Sequence, residues 1–153
     1  MNFNHPLTNM ELIDLANKMR IHLNGVLMKD EATSTLPNGY YIFNLQNHNQ
    51  NGTHWVALCK KGKRQFYYCD PFGMPPPETL INLLQCNEKH LFYNDTQIQN
   101  IDSILCGYFC LLFLYMMQQS VSPANNIANF LQLFYLDTKK NDKELKKIIS
   151  KLI

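Results

Sequence analysis

The sequence predicts an α+β fold, in which a small mixed β-sheet is flanked by helices and a central buried helix fills the core. Three observations support this class. An amphipathic helical segment comes first, short β-prone segments follow it, and helical segments occupy the last third of the chain. Residues 104–117 are apolar on all sides, as is typical of a helix buried inside a domain. The length of 153 residues fits a single domain, 1–153.

The first helix is predicted to begin at a capping box formed by Thr8 and Glu11. Apolar residues recur behind it at helical spacing: Leu12, Leu15, Ala16, Met19 and Leu23. Residues 25–39 lack such a period, so we expect irregular structure that ends in a Pro-Asn-Gly turn. A strand is predicted at 40–43, and the polar tract 46–52 is predicted to be a loop.

A β-hairpin is predicted in the middle of the chain. Residues 54–60 and 65–69 are two β-prone runs around a Lys-Gly-Lys-Arg segment. His54 stands at the start of the first run, and Asp70 follows the end of the second. The two ends are adjacent in an antiparallel pair, so we expect His54 and Asp70 to touch.

Three consecutive prolines at 75–77 separate the hairpin from a short predicted helix at 78–84. Weaker strand patterns follow at 91–93 and 97–98, and the central helix is predicted to begin near Cys106. Two more helices are expected, one starting at Ser122 and Pro123 with Ile127, Phe130, Leu131 and Phe134 inward, and one opened by Asn141 and Glu144 with Leu145, Ile148, Ile149 and Leu152 inward.

The composition is that of an ordinary globular protein. Hydrophobic residues make up 46%, charged residues 17%, and the net charge of +2 is too small to indicate nucleic-acid binding by itself. Five cysteines without close spacing do not form a disulfide framework, and they favour a reducing compartment. Residues 1–6 are polar, and the apolar run at 104–117 is shorter than the roughly 20 residues that span a bilayer, so we expect neither secretion nor a membrane span.

Four residues supply the parts that a cysteine nucleophile needs. His54 is the base, Asp70 the acid that orients it, Gln99 an amide donor and Cys106 the thiol. Cys106 lies where a loop enters the apolar helix, and a helix N-terminus favours a thiolate. Gly107 leaves room for a substrate backbone, and the backbone N–H of Cys106 can face an oxyanion.

Ordinary structural roles remain open for the same residues. Cys106 and Cys110 are four apart and can both be core cysteines. His54 can be a polar residue at a strand start, and Asp70 can be a turn former before proline. Gln97 stands two residues before Gln99 as a rival amide donor.

Three further features have alternative interpretations. Trp55, the single tryptophan, can be core filler or a wall of a substrate groove. The five cysteines and five histidines include no Cys-x₂-Cys pair, so we expect no metal site. The lysines of 139–151 fit a solvated helix face, with a nucleic-acid contact surface as the alternative.

The motifs His54-Trp55, 70–73, Gln99 and 106–110 resemble, in type and order, those of the adenovirus-type maturation proteases. That family, also called adenain-like, shares its papain-like core with the Ulp/SENP proteases that remove SUMO. Versions in virophages and Polinton/Maverick elements look closer still at 24–31 and 52–57. The acid departs from the adenovirus pattern, because Asp70 stands where that enzyme has Glu; either can orient an imidazole.

The resemblance implies a viral cysteine endopeptidase that processes capsid or precapsid proteins during virion maturation. It implies catalysis by Cys106, His54, Asp70 and Gln99. It also implies that Trp55 walls the substrate groove, with Gly107 beside it, and selects small residues, glycine above all. We expect a monomer that acts in the virion and in the cytoplasm or nucleus of the infected cell.

Two other functions stay open at this point. One is a deconjugating protease for a ubiquitin-like or SUMO-like modifier, and the other is a non-catalytic binding module with the same fold. We expect no cofactor. The adenovirus enzyme uses DNA and a disulfide-linked activating peptide, but the nearest linking cysteine in this sequence, Cys86, is a poor candidate, so an interaction with DNA or a peptide is left open.

Overall fold

The computed structural model describes residues 1–46, 54–119 and 121–153. Within these residues the chain forms a five-stranded mixed sheet and five α-helices, which confirms the predicted α+β class. The loop predicted at 46–52 lies outside the described residues, apart from Gln46. In the described part of the chain, no helix combines the length and the apolar character needed to cross a membrane.

The elements follow one another as the sequence predicts, except that one strand is added near the start and the strand predicted at 97–98 does not form. The first half contains α1 (Asn9–Lys18), β1 (Leu23–Met28), β2 (Gly39–Asn44), β3 (Trp55–Lys60) and β4 (Phe66–Cys69). The second half contains α2 (Glu78–Leu84), β5 (Leu91–Tyr93), α3 (Cys106–Met117), α4 (Pro123–Leu131) and α5 (Asn141–Leu152).

The strands lie in the order β1-β2-β3-β4-β5. The central strands β2, β3 and β4 are antiparallel, and β1 and β5 join them as parallel outer strands. The predicted hairpin is confirmed, because Ala57 pairs with Cys69 and Lys60 with Phe66. This register brings the residue before β3 next to the residue after β4.

Helix α3 is the predicted central helix. It is buried along nearly its whole length and packs against β3, with α1, α4 and α5 in contact with it. Alternate residues of β3 face opposite sides of the sheet, as in any strand. Ala57 and Cys59 join the core around α3, whereas Val56 and Leu58 join a second, smaller core with Leu80 of α2.

Strand β1 contradicts two predictions. Leu23, placed on the first helix by its spacing, begins this strand, and the segment 25–39 is therefore not irregular throughout. The helix stops earlier because Arg20 adopts a left-handed conformation with a φ of 58°. Asn24 and Gly25 are poor strand formers, so the strand depends on its parallel pairing with β2 rather than on local preference.

One further expectation needs correction. Residues 97–98 are not a strand, because the N–H groups of Ile98 and Gln99 both donate to the Pro71 carbonyl, each at 2.9 Å. Asn141 begins the last helix as predicted, with Lys140 as the N-cap. The Asn141 side chain is fully buried. The start of α4 agrees with prediction, with Ser122 as N-cap and Pro123 directly behind it.

Gly73 ends a turn that docks on the segment 94–99. Its N–H donates to the Asp70 carbonyl at 2.8 Å, and its φ is 76°. A Cβ at this position would lie 2.6 Å from the backbone nitrogen of Gln97. Both the backbone conformation and the close approach therefore require glycine.

We predict that Gly73→Ala lowers the free energy of unfolding by about 2–4 kcal/mol, because left-handed strain and a backbone collision add. Urea unfolding measures this loss. Gly62→Ala is the matched control, since Gly62 has a φ of 129° but no atom within 4 Å of a built Cβ. It should lose only about 1 kcal/mol through strain. Equal losses in the two variants would contradict the close approach.

Candidate active site

His54 and Asp70 form the contact that the hairpin predicts. The Nε2 atom of His54 lies 2.8 Å from Oδ1 of Asp70. The same oxygen accepts a hydrogen bond of 2.8 Å from the backbone N–H of Phe72. The Asp70 side chain is only 4% exposed and that of His54 19%, so the pair is largely shielded from water. The carboxylate therefore fixes the orientation of the imidazole.

The thiol of Cys106 completes a row of three side chains. It forms a hydrogen bond with the His54 imidazole. Because Asp70 occupies Nε2, the ring presents Nδ1 to the sulfur. Cys106 is the first residue of α3, and no side chain caps this helix N-terminus. The positive end of the helix dipole therefore faces the thiol.

His54 is held in its protonated form by its two neighbours. Burial alone would lower the pKa of its imidazole, but the hydrogen bonds to Asp70 and Cys106, and the negative charges on both, raise that pKa from 6.5 to about 9. An imidazolium beside a sulfur stabilises a thiolate. The arrangement thus supplies a nucleophile and a proton donor in direct contact.

Asn94 is a functional candidate that the sequence analysis missed. Its Oδ1 accepts from the Asp70 backbone N–H at 3.1 Å, and its Nδ2 donates to the Asp70 carbonyl at 2.7 Å. The side chain is buried, with 2% of its surface exposed. Asn94 therefore clamps the Asp70 backbone. No sequence signal marks it, because its partner lies 24 residues away and the chain contains many asparagines.

Phe72, within the motif 70–73, contacts the base directly. Its ring stacks on the His54 imidazole, with centroids 4.8 Å apart and planes at 22°. It is only partly buried, so one side of the stacked pair faces outward. The aromatic ring shields the imidazole and favours its cationic form.

Gln99 and Gln97 are clearly distinguished by burial. Gln99 is 1% exposed, whereas Gln97 is exposed and donates to the Gln99 carbonyl at 2.9 Å. The Gln99 amide Nε2 donates to the Ser103 carbonyl at 2.8 Å, which places it across the loop that leads to Cys106. Its second N–H is left for another acceptor. Its role as an oxyanion donor stays a prediction.

Trp55 and Gly107 both lie against the N-terminal segment. The Trp55 indole is 7% exposed, and its Nε1 donates to the Leu7 carbonyl at 2.8 Å. A Cβ at Gly107 would lie 3.1–3.3 Å from side-chain atoms of Leu12 and Leu7. These leucines therefore leave little space for a side chain at this position. Contact of Trp55 or Gly107 with a substrate stays a prediction.

The remaining cysteines have structural positions. Cys110 is fully buried, as the core interpretation expects, and its Sγ donates to the Trp55 carbonyl at 3.3 Å. Burial raises the pKa of Cys86 to about 11, which makes this thiol a weak partner for disulfide exchange. Among the residues that the structure describes, no cluster of three or more histidines, cysteines and acids could hold a metal ion.

Comparison with known proteins gives matches in both sequence and fold. No protein-family model matches the chain. The protein named "Protease" of Bovine adenovirus C serotype 10 is 28% identical over 93 residues, which cover 51% of this chain and 47% of that relative. The chain thus spans about half the length of the curated relative it matches. The crystal structure of the ASFV pS273R protease superposes with a TM-score of 0.60 and 15% identity, covering 97% of this chain and 67% of that one.

These comparisons confirm the predicted resemblance to adenovirus-type proteases. The sequence similarity extends over half of the chain, and the fold similarity extends over nearly all of it. At 15% identity the structural match establishes the fold alone.

We predict that His54 makes folding stability depend on pH between 6.5 and about 9. Its pKa is raised in the folded state, so its contribution is complete below 6.5 and is lost as the pH rises through about 9. The measurement is the difference in unfolding free energy between wild type and His54→Gln, obtained by urea titration at several pH values.

Asp70→Asn removes the charge that holds the proton and should flatten this pH dependence. His22→Gln alters an exposed histidine and should follow the wild-type curve. A difference between wild type and His54→Gln that stays constant from pH 6 to pH 9.5 would contradict the raised pKa.

Proposed function

We propose that this chain is a cysteine endopeptidase of the viral maturation type, with Cys106 as its nucleophile. The observation that carries the proposal is the row of three contacting side chains, in which His54 lies between the Asp70 carboxylate and the Cys106 thiol. The sequence similarity to an adenovirus protease supports the same reaction.

The reaction proceeds in two steps. The Cys106 thiolate attacks the scissile carbonyl and forms a C–S bond, while His54 gives its proton to the leaving amine as the C–N bond breaks. Water then attacks the thioester, and His54 accepts its proton as the thiolate is released. Asp70 orients the imidazole throughout and stabilises its charge without taking up the proton.

The oxyanion of each tetrahedral intermediate needs donors that are in place before the reaction. We assign this role to the backbone N–H of Cys106 and to the amide of Gln99, which is buried and anchored by one of its two N–H groups. Gln97 is exposed and cannot offer the same fixed geometry.

The proposed substrates are viral capsid or precapsid proteins, cut after small residues, with the enzyme acting in the virion and in the infected cell. Trp55 next to the base supports a narrow groove, because a packed indole cannot yield to a branched side chain. Glycine one or two residues before the cut is therefore favoured.

The central test is cleavage by wild type and by Cys106→Ala. Each is incubated with viral capsid protein and with a peptide library from a digested cell proteome, and new termini are identified by mass spectrometry. We expect termini preceded by glycine-containing sequences with wild type and none with Cys106→Ala, because the variant has no nucleophile.

Cys110→Ala is the matched control, since it removes a thiol one helical turn away that is fully buried and outside the row. It should cleave like wild type, with a stability loss of about 1 kcal/mol. Cleavage by Cys106→Ala at the wild-type rate would contradict the assignment. Cleavage of a modifier conjugate but of neither capsid protein nor library would favour the deconjugating protease.

We predict that Gln99→Ala lowers kcat by roughly 10²–10³ with little change in KM, because the amide acts only on the oxyanion. Gln97→Ala should keep both constants near wild type, since this side chain is exposed. Steady-state kinetics on one peptide from the library measures both variants. If Gln97→Ala lowers kcat and Gln99→Ala does not, the oxyanion donor is Gln97 and the assignment is wrong.

A further inference from the structure

The start of α5 is bound to the segment 98–105, which we call the nucleophile loop because it leads into α3. The Asn141 amide Nδ2 donates to the Ile98 carbonyl at 2.8 Å. The hydroxyl of Ser103 donates to Oδ1 of Asp142 at 2.9 Å. Asn141 is fully buried and Asp142 partly so. Two successive residues of one helix therefore hold this loop near both of its ends.

Ser103 links Asp142 to the groups that face the reaction. Its carbonyl accepts from the Gln99 amide at 2.8 Å, and its Oγ accepts from the Leu105 N–H at 3.3 Å. Asp142 accepts the hydrogen bond that the Ser103 hydroxyl donates, which leaves the lone pairs of Oγ for the Leu105 N–H. One carboxylate thus acts on both the amide donor and the residue before the nucleophile.

The orientation of Gln99 depends strongly on this contact. Its Oε1 is buried, and within the described residues it has no hydrogen-bond partner. The bond to the Ser103 carbonyl is therefore what fixes which way the amide points. If that carbonyl shifts, the second N–H of the amide shifts with it. Such a displacement of the amide donor lowers the rate in a site that works by preorganised donors.

We propose that Asp142 is a positioning residue for the oxyanion donor Gln99 and acts through Ser103. The inference rests on the proposed function, because it needs a tetrahedral intermediate at Cys106. Asn141 holds the first residue of the nucleophile loop, Ile98, and Asp142 holds Ser103, close to the nucleophile.

Two reagents separate the oxyanion donor from the thiol itself. With p-nitrophenyl acetate, the Cys106 thiolate attacks the acetyl carbonyl, a C–S bond forms, the C–O bond breaks and p-nitrophenolate leaves. This reaction passes through an oxyanion. With iodoacetamide, the thiolate displaces iodide from a saturated carbon, and no oxyanion forms. Mass spectrometry of the modified peptide confirms that Cys106 is the residue that reacts.

Asp142→Ala should lower the acylation rate about tenfold while the alkylation rate stays within about twofold of wild type. Asp142→Asn keeps an oxygen that accepts from the Ser103 hydroxyl and should retain both rates. Glu144→Ala is the matched control in the same helical turn, since Glu144 forms an ion pair of 3.8 Å with Lys147 of its own helix. It should behave as wild type in both reactions.

If Asp142 had a purely structural role, the acylation rate would follow the melting temperature in every variant. The proposal predicts that the two measurements separate. Asp142→Ala and Asp142→Asn both remove an acidic charge from the first turn of α5 and should lower the melting temperature alike. Only the alanine variant should lose acylation. Ser103→Ala should lose it too, and combining it with Asp142→Ala should add nothing, because the two residues act in one chain.

The inference is overturned if Asp142→Ala is acylated like wild type, or if its acylation and alkylation fall together. A different result tests the proposed function: if wild type is acylated no faster than Cys106→Ala, the chain is no acyl-transfer enzyme. The two failures are therefore distinguishable within one set of measurements.

Discussion

The Asp70 carboxylate is the group on which the arrangement of the site depends. It accepts from the His54 ring and from the Phe72 backbone through one oxygen, and it lies almost out of reach of water. A buried carboxylate is costly unless its oxygens have donors. Asp70 therefore fixes the imidazole and the turn together, and neither can move without leaving a charge unpaired.

The surrounding structure can be understood as support for that one side chain. Asn94, directly after β5, clamps its backbone, and the Pro71 carbonyl binds the segment that carries Gln99. Base and amide donor are thus attached to the same turn, although one precedes it in the chain and the other follows it. The precision of the site comes from this shared support rather than from the rigidity of each residue by itself.

The sequence predicts the parts of the site that depend on local geometry. The His54–Asp70 contact could be foreseen because a hairpin brings together these two residues, which are 16 positions apart in the chain. Asn94 could not, since its partner is chosen by the parallel register of β4 and β5. Strand β1 was missed for the same reason, because pairing with β2 overrides its weak local preference. The packing of Leu12 against Gly107 could not be foreseen either, because the two residues are more than ninety positions apart in the chain.

The hydrogen bonds between α5 and the nucleophile loop have a consequence for the nascent chain during synthesis. Synthesis runs from the N-terminus, so His54, Asp70 and Cys106 leave the ribosome before Asn141 and Asp142 do. Until α5 docks, the loop lacks the partners of Ile98 and Ser103, and its backbone is free to fray. A partly synthesised protein would therefore carry the Cys106 thiol beside a loop that lacks two of its anchoring hydrogen bonds.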